Sequence, residues 1–378
     1  MHLERITLFH IRMPLTQPFE TSFGVEHERE CIIVRAEAES AVGWGECVAG
    51  TGPWYSSETV VTAWHILSRF LIPSLLGQAL ARPEEVFDRC ARVRGNQMAK
   101  AGLEMALWDL AAAHRGLPLA NLLGGTRDRV PVGVSVGIQA SPELLVERVR
   151  EFVAQGYARV KIKIKPGWDV EISRLLRREF PDLPLQVDAN SAYHLEDTAR
   201  FEAMDDLGLL LIEQPLDHDD IYDHAALQRR LRTPICLDES IISVDHARAA
   251  LELGSCRTIN IKPGRVGGHT ASKRIHDLCH ARGVPVWHGG MLETGIGRAH
   301  NVALASLPGF SLAGDISASN RYYAVDLVDP PFALNPDSTL SVPTGPGIGV
   351  SVDVERLESL TLQRATFGAA AGSSPYDA

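Results

Sequence analysis

From about residue 130 onward, short apolar runs recur along the chain, with their centres about 23 to 26 residues apart. Most of the intervals between them have the periodicity of an amphipathic helix, for example 141–157 and 268–283. Strands that alternate with helices predict a parallel sheet. Eight such units favour an α/β barrel over an open doubly wound sheet, since no glycine-rich dinucleotide fingerprint follows the first strand. The runs lie at 130–138, 159–164, 183–189, 207–214, 233–240, 257–262, 284–290 and 310–317.

The regions on either side of this repeat have a different pattern. Residues 1–125 predict an α+β domain, and residues 126–320 hold the barrel. Residues 321–378 show weak strand signals and end in the polar segment SSPYDA, which we expect to be disordered. In the first domain, predicted strands cover 3–12 and 31–38, and predicted helices cover Glu58–Leu76 and Pro83–Ala113.

The charge balance limits the class of partner. The chain has a formal net charge of -10 and a sequence pI of about 5.8. This argues against nucleic acid and anionic membranes as partners, because binding to phosphates requires positive charge. We find no signal peptide and no apolar run of about 18 residues, and the six cysteines form no C-x-x-C pair. We therefore expect a cytoplasmic protein that acts on a small molecule.

Three acidic residues end successive predicted strands. Asp188, Glu213 and Asp238 are spaced 25 residues apart, and the carboxyl ends of barrel strands share one mouth. Three neighbouring carboxylates repel one another unless a cation lies between them. Oxygen ligands suit a hard ion, so the pattern predicts Mg²⁺, with Mn²⁺ or another divalent metal as alternatives. Asp188 or Asp238 taken alone is more typical of a helix cap.

Lysines lie on the inward face of two predicted strands. Side chains alternate along a strand, so Lys161, Lys163 and Lys165 share one face, which the intervening isoleucines direct into the barrel. Lys262 ends the sixth strand on the same face as Asn260. Because the second and sixth of eight strands are diametrically opposed, Lys163 and Lys262 would flank a ligand. Snorkelling of the side chains or phosphate binding is the alternative.

Such an arrangement suits the removal of a proton beside a carboxylate. That proton is very weakly acidic, and a metal on the carboxylate oxygens would stabilise the enediolate that forms. A free lysine is a poor base near neutrality, since its pKa is about 10.4. A metal and a second ammonium group nearby would lower the pKa of a lysine. A lysine on each face would permit removal on one side and return on the other.

The motifs K-x-K, D-A-N, E-Q-P and D-E-S, followed by a later lysine, together resemble those of the enolase superfamily and its muconate-lactonizing subgroup. Within that subgroup, the chain is most similar to the N-succinylamino acid racemase and o-succinylbenzoate synthase family. The resemblance extends over essentially the whole chain. It implies a modified TIM-type barrel with an α+β capping domain, which the amino-terminal part and the carboxyl-terminal segment build together. The stretches that carry it are VKIKIKPGWDV, VDANSAYHLED, IEQPL, CLDES, GRVGGH and WHGGMLETGIGRAHN.

The resemblance implies a role for most of the polar residues at the strand ends. Glu239 is equally typical of the first turn of a helix. Arg265, three residues after Lys262, would tune that lysine or else pair with a neighbouring acid. The implied metal ligands are Asp188, Glu213 and Asp238, the implied acid/base lysines are Lys163 and Lys262, and the implied supporting residues are Lys161, Asn190 and Glu239.

Substrate-facing residues are expected on two capping-domain loops and at further strand ends. The loops correspond to Pro18–Val25 and Cys47–Tyr55, whose glycines permit movement, although ordinary surface turns explain the glycines equally well. Their aromatic side chains would cover an apolar acyl or aryl group. A core role is at least as typical for Met291. The candidates are Phe19, Phe23, Trp54, Tyr55, Ser135, Gly290, Met291 and Ser317.

Related activities of the superfamily differ at defined positions. Mandelate-racemase-type sites pair a histidine on strand seven with an aspartate on strand six. Here strand six ends in Lys262, so we interpret His288 as structural or supporting. Dipeptide epimerases carry D-x-D at strand eight, where this chain has the triplet 315–317, D-I-S. The sequence therefore disfavours both activities.

The expected function is abstraction of the α-proton of a carboxylate substrate in a Mg²⁺-dependent enzyme. N-succinylamino acid racemase with o-succinylbenzoate synthase activity is the activity that the resemblance favours. Muconate cycloisomerase shares the five core residues and is an alternative, as is a non-catalytic metal-binding barrel. A homo-oligomer is expected for such a barrel.

Overall fold

The structure, a computed structural model, describes residues 2–39 and 41–368. The predicted disordered segment SSPYDA lies outside the described residues. The strands, numbered in chain order, are β1 (Arg5–Thr21), β2 (Gly24–Ala38), β3 (Ala41–Cys47), β4 (Arg129–Pro131), β5 (Val134–Val136), β6 (Val160–Lys163), β7 (Leu185–Asp188), β8 (Ile212–Glu213), β9 (Ile235–Leu237), β10 (Thr258–Ile261), β11 (Val286–His288), β12 (Val328–Asp329), β13 (Thr339–Ser341), β14 (Ser351–Val352) and β15 (Thr361–Gly368).

From β5 to β11, every strand is followed by at least one helix. Within the part of the chain that the structure describes, no helix has both the length and the apolarity that crossing a membrane requires. The α-helices are α1 (Val60–Ile66), α2 (Ile72–Leu75), α3 (Glu85–Arg89), α4 (Gln97–His114), α5 (Leu119–Leu123), α6 (Pro142–Ala154), α7 (Val170–Glu179), α8 (Thr198–Glu202), α9 (Tyr222–Arg230), α10 (Val244–Leu253), α11 (Pro263–Val266), α12 (His269–Ala281), α13 (Gly295–Ala305) and α14 (Val354–Ser359), and short π or 3-10 helices cover Leu67–Leu71, Cys90–Arg92, Leu195–Asp197 and Ser319–Arg321.

A parallel sheet organises the second half of the chain. Its strands follow one another in sequence order from β5 to β11. This order confirms the predicted α/β class and excludes the doubly wound alternative, in which the strand order reverses. The register pairs Lys163 with Asp188 and Asp188 with Glu213. The polar strand ends therefore lie side by side at one end of the sheet.

The eighth predicted strand, 310–317, forms isolated bridges instead of a regular strand. Phe310 is bridged to Val286 of β11, and Gly314 is bridged to Val132 next to β5. The segment thus joins edge strand β11 to the residues directly before the other edge strand, β5, and closes the barrel. The described residues contain seven regular barrel strands where the sequence predicts eight.

An antiparallel sheet of order β15-β1-β2-β3 joins the two ends of the described chain. Helix α4 packs against it. Gly43 and Gly45 of β3 permit this close approach, because a Cβ atom at either position would clash with the α4 backbone. The amino-terminal part and the carboxyl-terminal segment therefore build one capping domain, as the resemblance implies.

The predicted helix Pro83–Ala113 is wrong as a continuous element. The structure has α3, a short 3-10 helix and then α4, with an interruption between them at 93–96. Gly95 and Asn96 have φ angles of 60° and 53°. This left-handed conformation is incompatible with a continuing right-handed helix. The apolar periodicity on both sides concealed the break.

The predicted loop Pro18–Val25 is also wrong, because most of it is strand. Strands β1 and β2 pair as a long hairpin, and the register extends to Thr21 opposite Gly24. The hairpin tip is therefore only a few residues long. Strand β3, directly before the second predicted loop, is absent from the sequence prediction because its two glycines are unfavourable for a strand.

Two buried carboxylates of the capping domain bind the amino termini of barrel helices. Glu46 of β3 accepts a hydrogen bond from the Thr294 amide, 3.1 Å away, at the start of α13. Glu104 of α4 accepts from the amides of His269 and Thr270, at 2.7 and 2.9 Å, at the start of α12. The first amides of a helix lack intrahelical partners, so these acids satisfy them and fix the capping domain to the barrel.

Candidate active site

Lys163 and Lys262 face one cavity from opposite walls of the barrel. Lys163 is the last residue of β6, and Lys262 directly follows β10, so three strands lie between them in the sheet. Both side chains are buried, and both line a cavity of about 80 Å³. The inward orientation predicted from the alternation of side chains is therefore present at both positions.

Lys163 is held by a short chain of polar contacts. Its Nζ donates to Asp188 Oδ2 and to Asn190 Oδ1, each at 2.6 Å. Asn190 Nδ2 in turn donates to Glu239 Oε1 at 2.8 Å. Asn190 has a φ of 42°, a left-handed conformation that asparagine tolerates better than most residues. The Asn190 amide therefore connects the lysine to a buried acid on the neighbouring wall.

Lys262 has an equally defined environment. Its Nζ donates to Asp238 Oδ2 at 2.8 Å and lies 3.0 Å from the Tyr55 hydroxyl. The ammonium group also lies 4.6 Å from the centroid of the Tyr55 ring. Burial alone would lower the pKa of Lys262, but the Asp238 carboxylate outweighs it and raises the pKa above its ordinary value. Tyr55, from the capping domain, thus contacts the barrel lysine directly.

Arg265 stabilises the partner of Lys262. Its Nε donates to the Ile241 carbonyl at 2.8 Å, and its terminal nitrogens donate to the Asn260 carbonyl and to Asp238 Oδ1. The guanidinium group does not contact the lysine itself. It pairs with the acid that binds the lysine, as the alternative interpretation expects, and its influence on the lysine stays a prediction.

Lys161 lies between the carboxylates that end the neighbouring strands. Its Nζ is 2.9 Å from Asp188, 2.8 Å from Glu213 and 2.6 Å from Asp315. Burial would raise the pKa of Asp188, yet Lys161 and Lys163 together hold it below its ordinary value. Burial would lower the pKa of Lys161, which the three acids instead raise. Lys161 is therefore a fixed cation in the cavity wall.

Residues of both domains enclose the cavity. Ser317 does not line it, because its buried hydroxyl donates to the Gly133 carbonyl at 3.3 Å. Trp54 is 70% exposed and lines a neighbouring cavity instead. The predicted substrate-binding residues that do line the lysine cavity are Phe19, Phe23, Tyr55, Ser135, Gly290 and Met291.

Two family models match most of the chain. Residues 4–124 match the mandelate racemase / muconate lactonizing enzyme amino-terminal domain, and residues 144–357 match the enolase carboxyl-terminal domain-like family. The chain belongs to the enolase superfamily. The resemblance drawn from the strand-end motifs is thereby confirmed.

Curated relatives match this superfamily member over nearly its full length. An o-succinylbenzoate synthase from Geobacillus kaustophilus is 53% identical over 362 residues, which is 96% of each chain. An N-succinylamino acid racemase from an Amycolatopsis species is 48% identical over 97% of this chain and 100% of that protein. A crystal structure of an enolase superfamily member from Listeria innocua is 42% identical, with a TM-score of 0.94, and covers 98% of this chain and 100% of its own. The chain is therefore an enzyme.

Members of the superfamily bind a divalent metal, and the three predicted ligands have suitable chemistry. Asp188 and Glu213 end β7 and β8, and Asp238 follows β9, so three oxygen donors come from adjacent strands. Burial and the nearby Asp188 raise the pKa of Glu213 to about 8, and a cation there would oppose that rise. The donor set therefore fits a divalent metal.

The carboxylates are, however, each bound to a cation of the protein. Across residues 2–39 and 41–368, no three His, Cys, Asp or Glu side chains gather into a metal-binding group. Lys161 lies between Asp188 and Glu213, and Lys262 and Arg265 bind the third acid. The metal site itself stays a prediction.

Asp315 and Arg159 belong to this charged cluster, but sequence reasoning assigned them no role. Asp315 Oδ1 accepts from Arg159 at 2.6 Å, and its other oxygen binds Lys161. Both residues are buried. Asp315 lies in the last apolar run, so its position at a strand end was a usable signal. Its partners are more than 150 residues away in sequence, which is why the pairing itself could not be read from the motif.

His288 is a neutral residue in the barrel wall. Burial lowers its pKa to about 4, and its Nδ1 lies 2.7 Å from the Gly289 carbonyl. It does not line the lysine cavity. These observations agree with the structural interpretation of this histidine.

Proposed function

We propose that this enzyme racemises N-succinylamino acids and also forms o-succinylbenzoate, with both reactions beginning by removal of the proton beside a carboxylate. The observation that carries the proposal is the pair Lys163 and Lys262, which face one cavity from opposite walls. Relatives with each of the two names match the chain at about half identity. Since both reactions share their first step, one site suffices for both.

In the racemisation, one lysine in its neutral form would accept the α-proton as the C–H bond breaks. The electron pair moves into the substrate carboxylate to give an enediolate. The ammonium group of the opposite lysine then delivers a proton to the other face of the same carbon, which inverts it. The two lysines exchange protonation states in the process, so the next turnover proceeds in the reverse sense or after exchange with solvent.

Other residues would orient the substrate and the bases. Lys161 is a fixed cation in the cavity wall, and we propose that it binds the substrate carboxylate. A divalent metal, Mg²⁺ or alternatively Mn²⁺ or another ion, would be held by Asp188, Glu213 and Asp238 and would supply stabilisation of the enediolate charge when bound. Asn190 would orient Lys163 through the contacts described above.

In the synthase reaction, the substrate is 2-succinyl-6-hydroxy-2,4-cyclohexadiene-1-carboxylate. Lys163 would take the proton beside the carboxylate and then return it to the departing hydroxyl group. The products are water and the aromatic o-succinylbenzoate, so atoms balance with no further reactant. Lys262 would remain an ammonium ion and stabilise the enolate.

Deuterium exchange in D₂O tests the two-base proposal. N-succinyl-L- and N-succinyl-D-phenylalanine should each gain deuterium at the α-carbon with the unaltered enzyme. We expect Lys163→Ala to abolish exchange from one enantiomer and Lys262→Ala to abolish it from the other, because each base serves one face. Lys273→Ala, at a partly exposed lysine of α12, is the matched control and should exchange both. Normal racemisation by both active-site variants would rule out the mechanism.

A further inference from the structure

A second cavity of about 180 Å³ adjoins the lysine cavity under the capping domain. Residues from the β1–β2 hairpin and from the segment after β3 form most of its wall. This second cavity therefore offers space for a substrate group that extends away from the reacting carbon. The residues that line both cavities are Phe23, Glu26, Arg29, Tyr55 and Met291.

Arg29 is the buried cation at this junction. It is 4% exposed, and one terminal nitrogen donates to the Val48 carbonyl. Its Nε has no hydrogen-bond partner among the described residues. A side chain at Gly50 would begin 3.0 Å from Arg29 Nη1, so the glycine leaves space at the guanidinium group. Nε is sealed from solvent, so a ligand in the cavity would supply an acceptor to Nη1, beside the space that Gly50 leaves.

Glu26 is the acid nearest to Arg29, but it does not satisfy it. Arg29 Nη1 and Glu26 Oε2 are 4.0 Å apart, which exceeds hydrogen-bond distance. That carboxylate oxygen also has no hydrogen-bond partner among the described residues. The Glu26 side chain is 41% exposed, so it is free to turn toward water when an anion approaches the arginine.

Of the cations that line the lysine cavity, Arg29 is the one that no carboxylate of the described residues holds within hydrogen-bond distance. Four cations line the cavity, and two acids accompany them. One of the acids, Asp315, is already bound to Lys161 and Arg159. In the proposed reaction Lys161 binds the reacting carboxylate while Lys163 and Lys262 act on the α-carbon, which leaves Arg29 as the cation for a second anion.

We infer that Arg29 is a specificity-determining residue that binds the distal carboxylate of the substrate's acyl group. The inference rests on the proposed function and adds to it the group that distinguishes a succinyl substrate from an uncharged acyl substrate. A guanidinium group suits this task because it is always charged and presents several donors to a carboxylate.

The test compares two N-acyl derivatives of one amino acid. N-succinyl- and N-butanoyl-L-phenylalanine have acyl chains of equal length, and only the first ends in a carboxylate. We expect Arg29→Met to lower kcat/KM for the succinyl substrate by about 10- to 100-fold, as expected for the loss of a charged hydrogen bond. The butanoyl substrate should change by less than about threefold.

Two further variants extend the comparison: one should increase the preference for the succinyl substrate, and the other is a control. Glu26→Gln removes the competing acid and should increase the preference for the succinyl substrate. Arg35→Met is the matched control, because Arg35 lies on the same strand, pairs with Glu37 at 3.1 Å and lines neither cavity. It should leave the preference unchanged.

Calorimetric binding of o-succinylbenzoate and of 2-butanoylbenzoate gives a readout that does not depend on turnover. If Arg29→Met weakens binding of both ligands alike, or slows both substrates alike, the arginine acts only through its contact with Val48. That result would overturn the inference and leave the proposed function standing. If no N-acylamino acid exchanges its α-proton with the unaltered enzyme, the proposed function fails. Binding of the two ligands then decides the role of Arg29 separately.

Discussion

At the scale of single residues, Asn190 is the contact on which the geometry of Lys163 depends. Its amide oxygen accepts from Lys163, and its amide nitrogen donates to Glu239. A side-chain amide offers both an acceptor and a donor, one on each of its two terminal atoms. Burial, with the nearby acids Asp238 and Asp188, raises the pKa of Glu239 to about 8. An additional negative charge beside Glu239 would therefore raise its pKa further.

We expect Asn190→Asp to slow proton exchange at the face that Lys163 serves by about 10- to 100-fold, which corresponds to roughly 1.4 to 3 kcal/mol. Aspartate tolerates the left-handed backbone as asparagine does, but it loses the amide donor to Glu239 and adds a charge that binds the Lys163 ammonium more tightly. Exchange at the Lys262 face should change by less than about threefold. Deuterium incorporation from each enantiomer measures both faces, and Asn121→Asp, at an exposed site of α5, is the control. Equal losses at both faces would contradict this prediction.

The inward polar residues were predictable because a period-two pattern places them on the buried face of a strand. Lys161 and Lys163 alternate with buried isoleucines, a pattern that local sequence shows directly. The contacts of Arg29 were not predictable. They depend on where the capping domain lies over the barrel, and no local pattern encodes that placement.

At the scale of elements, the docking of helix α4 onto helix α12 depends on one carboxylate. Glu104 accepts from Trp108 at 2.8 Å within its own helix and from the amides of His269 and Thr270 across the interface. Burial raises the pKa of Glu104 to about 7, although these hydrogen bonds oppose the rise. The protonation of this side chain is thus coupled to the stability of the interface.

Because the pKa of Glu104 is raised in the folded protein, its contribution to stability decreases as pH rises. The folded protein retains the Glu104 proton up to about pH 7, whereas the ordinary value for the unfolded chain is 4.5. The contribution of this group to the free energy of unfolding is therefore complete below about pH 4.5 and is lost as pH rises through 7. A shift of this size corresponds to on the order of 3 kcal/mol.

We expect Glu104→Gln to flatten the pH dependence of stability between pH 5 and pH 8, because glutamine does not titrate. Urea unfolding of the variant and of the unaltered protein at several pH values measures their free energies of unfolding. The difference between these two free energies should decrease as pH rises. Glu147→Gln, at an exposed glutamate of α6, should leave the slope unchanged. A constant difference between the two curves across this range would show that Glu104 does not titrate there.

Element boundaries in the capping domain were harder to predict than those of the barrel. The barrel strands are short, apolar and separated by regular helices, so their number and order follow from the repeat. The break between α3 and α4 depends on Gly95 and Asn96 in the left-handed conformation. An apolar helical pattern on both sides does not reveal such a break.

At the scale of the whole molecule, the candidate site exists only where the two domains meet. Phe19 and Tyr55 from the capping domain and the lysines from the barrel line one cavity. Glu46 and Glu104 fix the domains together by binding the ends of two barrel helices. The arrangement makes the environment of the lysines depend on domain docking, and a ligand that binds across the site should stabilise the entire fold.

Metal binding offers a test at this scale, because a ligand that binds only the folded state raises the free energy of unfolding by RT ln(1 + [L]/Kd), about 2.7 kcal/mol at 100 times Kd. We expect Mg²⁺ to raise the Tm and a chelator to reverse the rise and abolish proton exchange. Asp238→Asn removes a proposed ligand and should remove most of the Tm increase, whereas Asp277→Asn, at an exposed acid of α12, should retain it. A Tm increase that persists in Asp238→Asn would mean that the ion binds elsewhere, because the proposed metal site requires all three strand-end carboxylates.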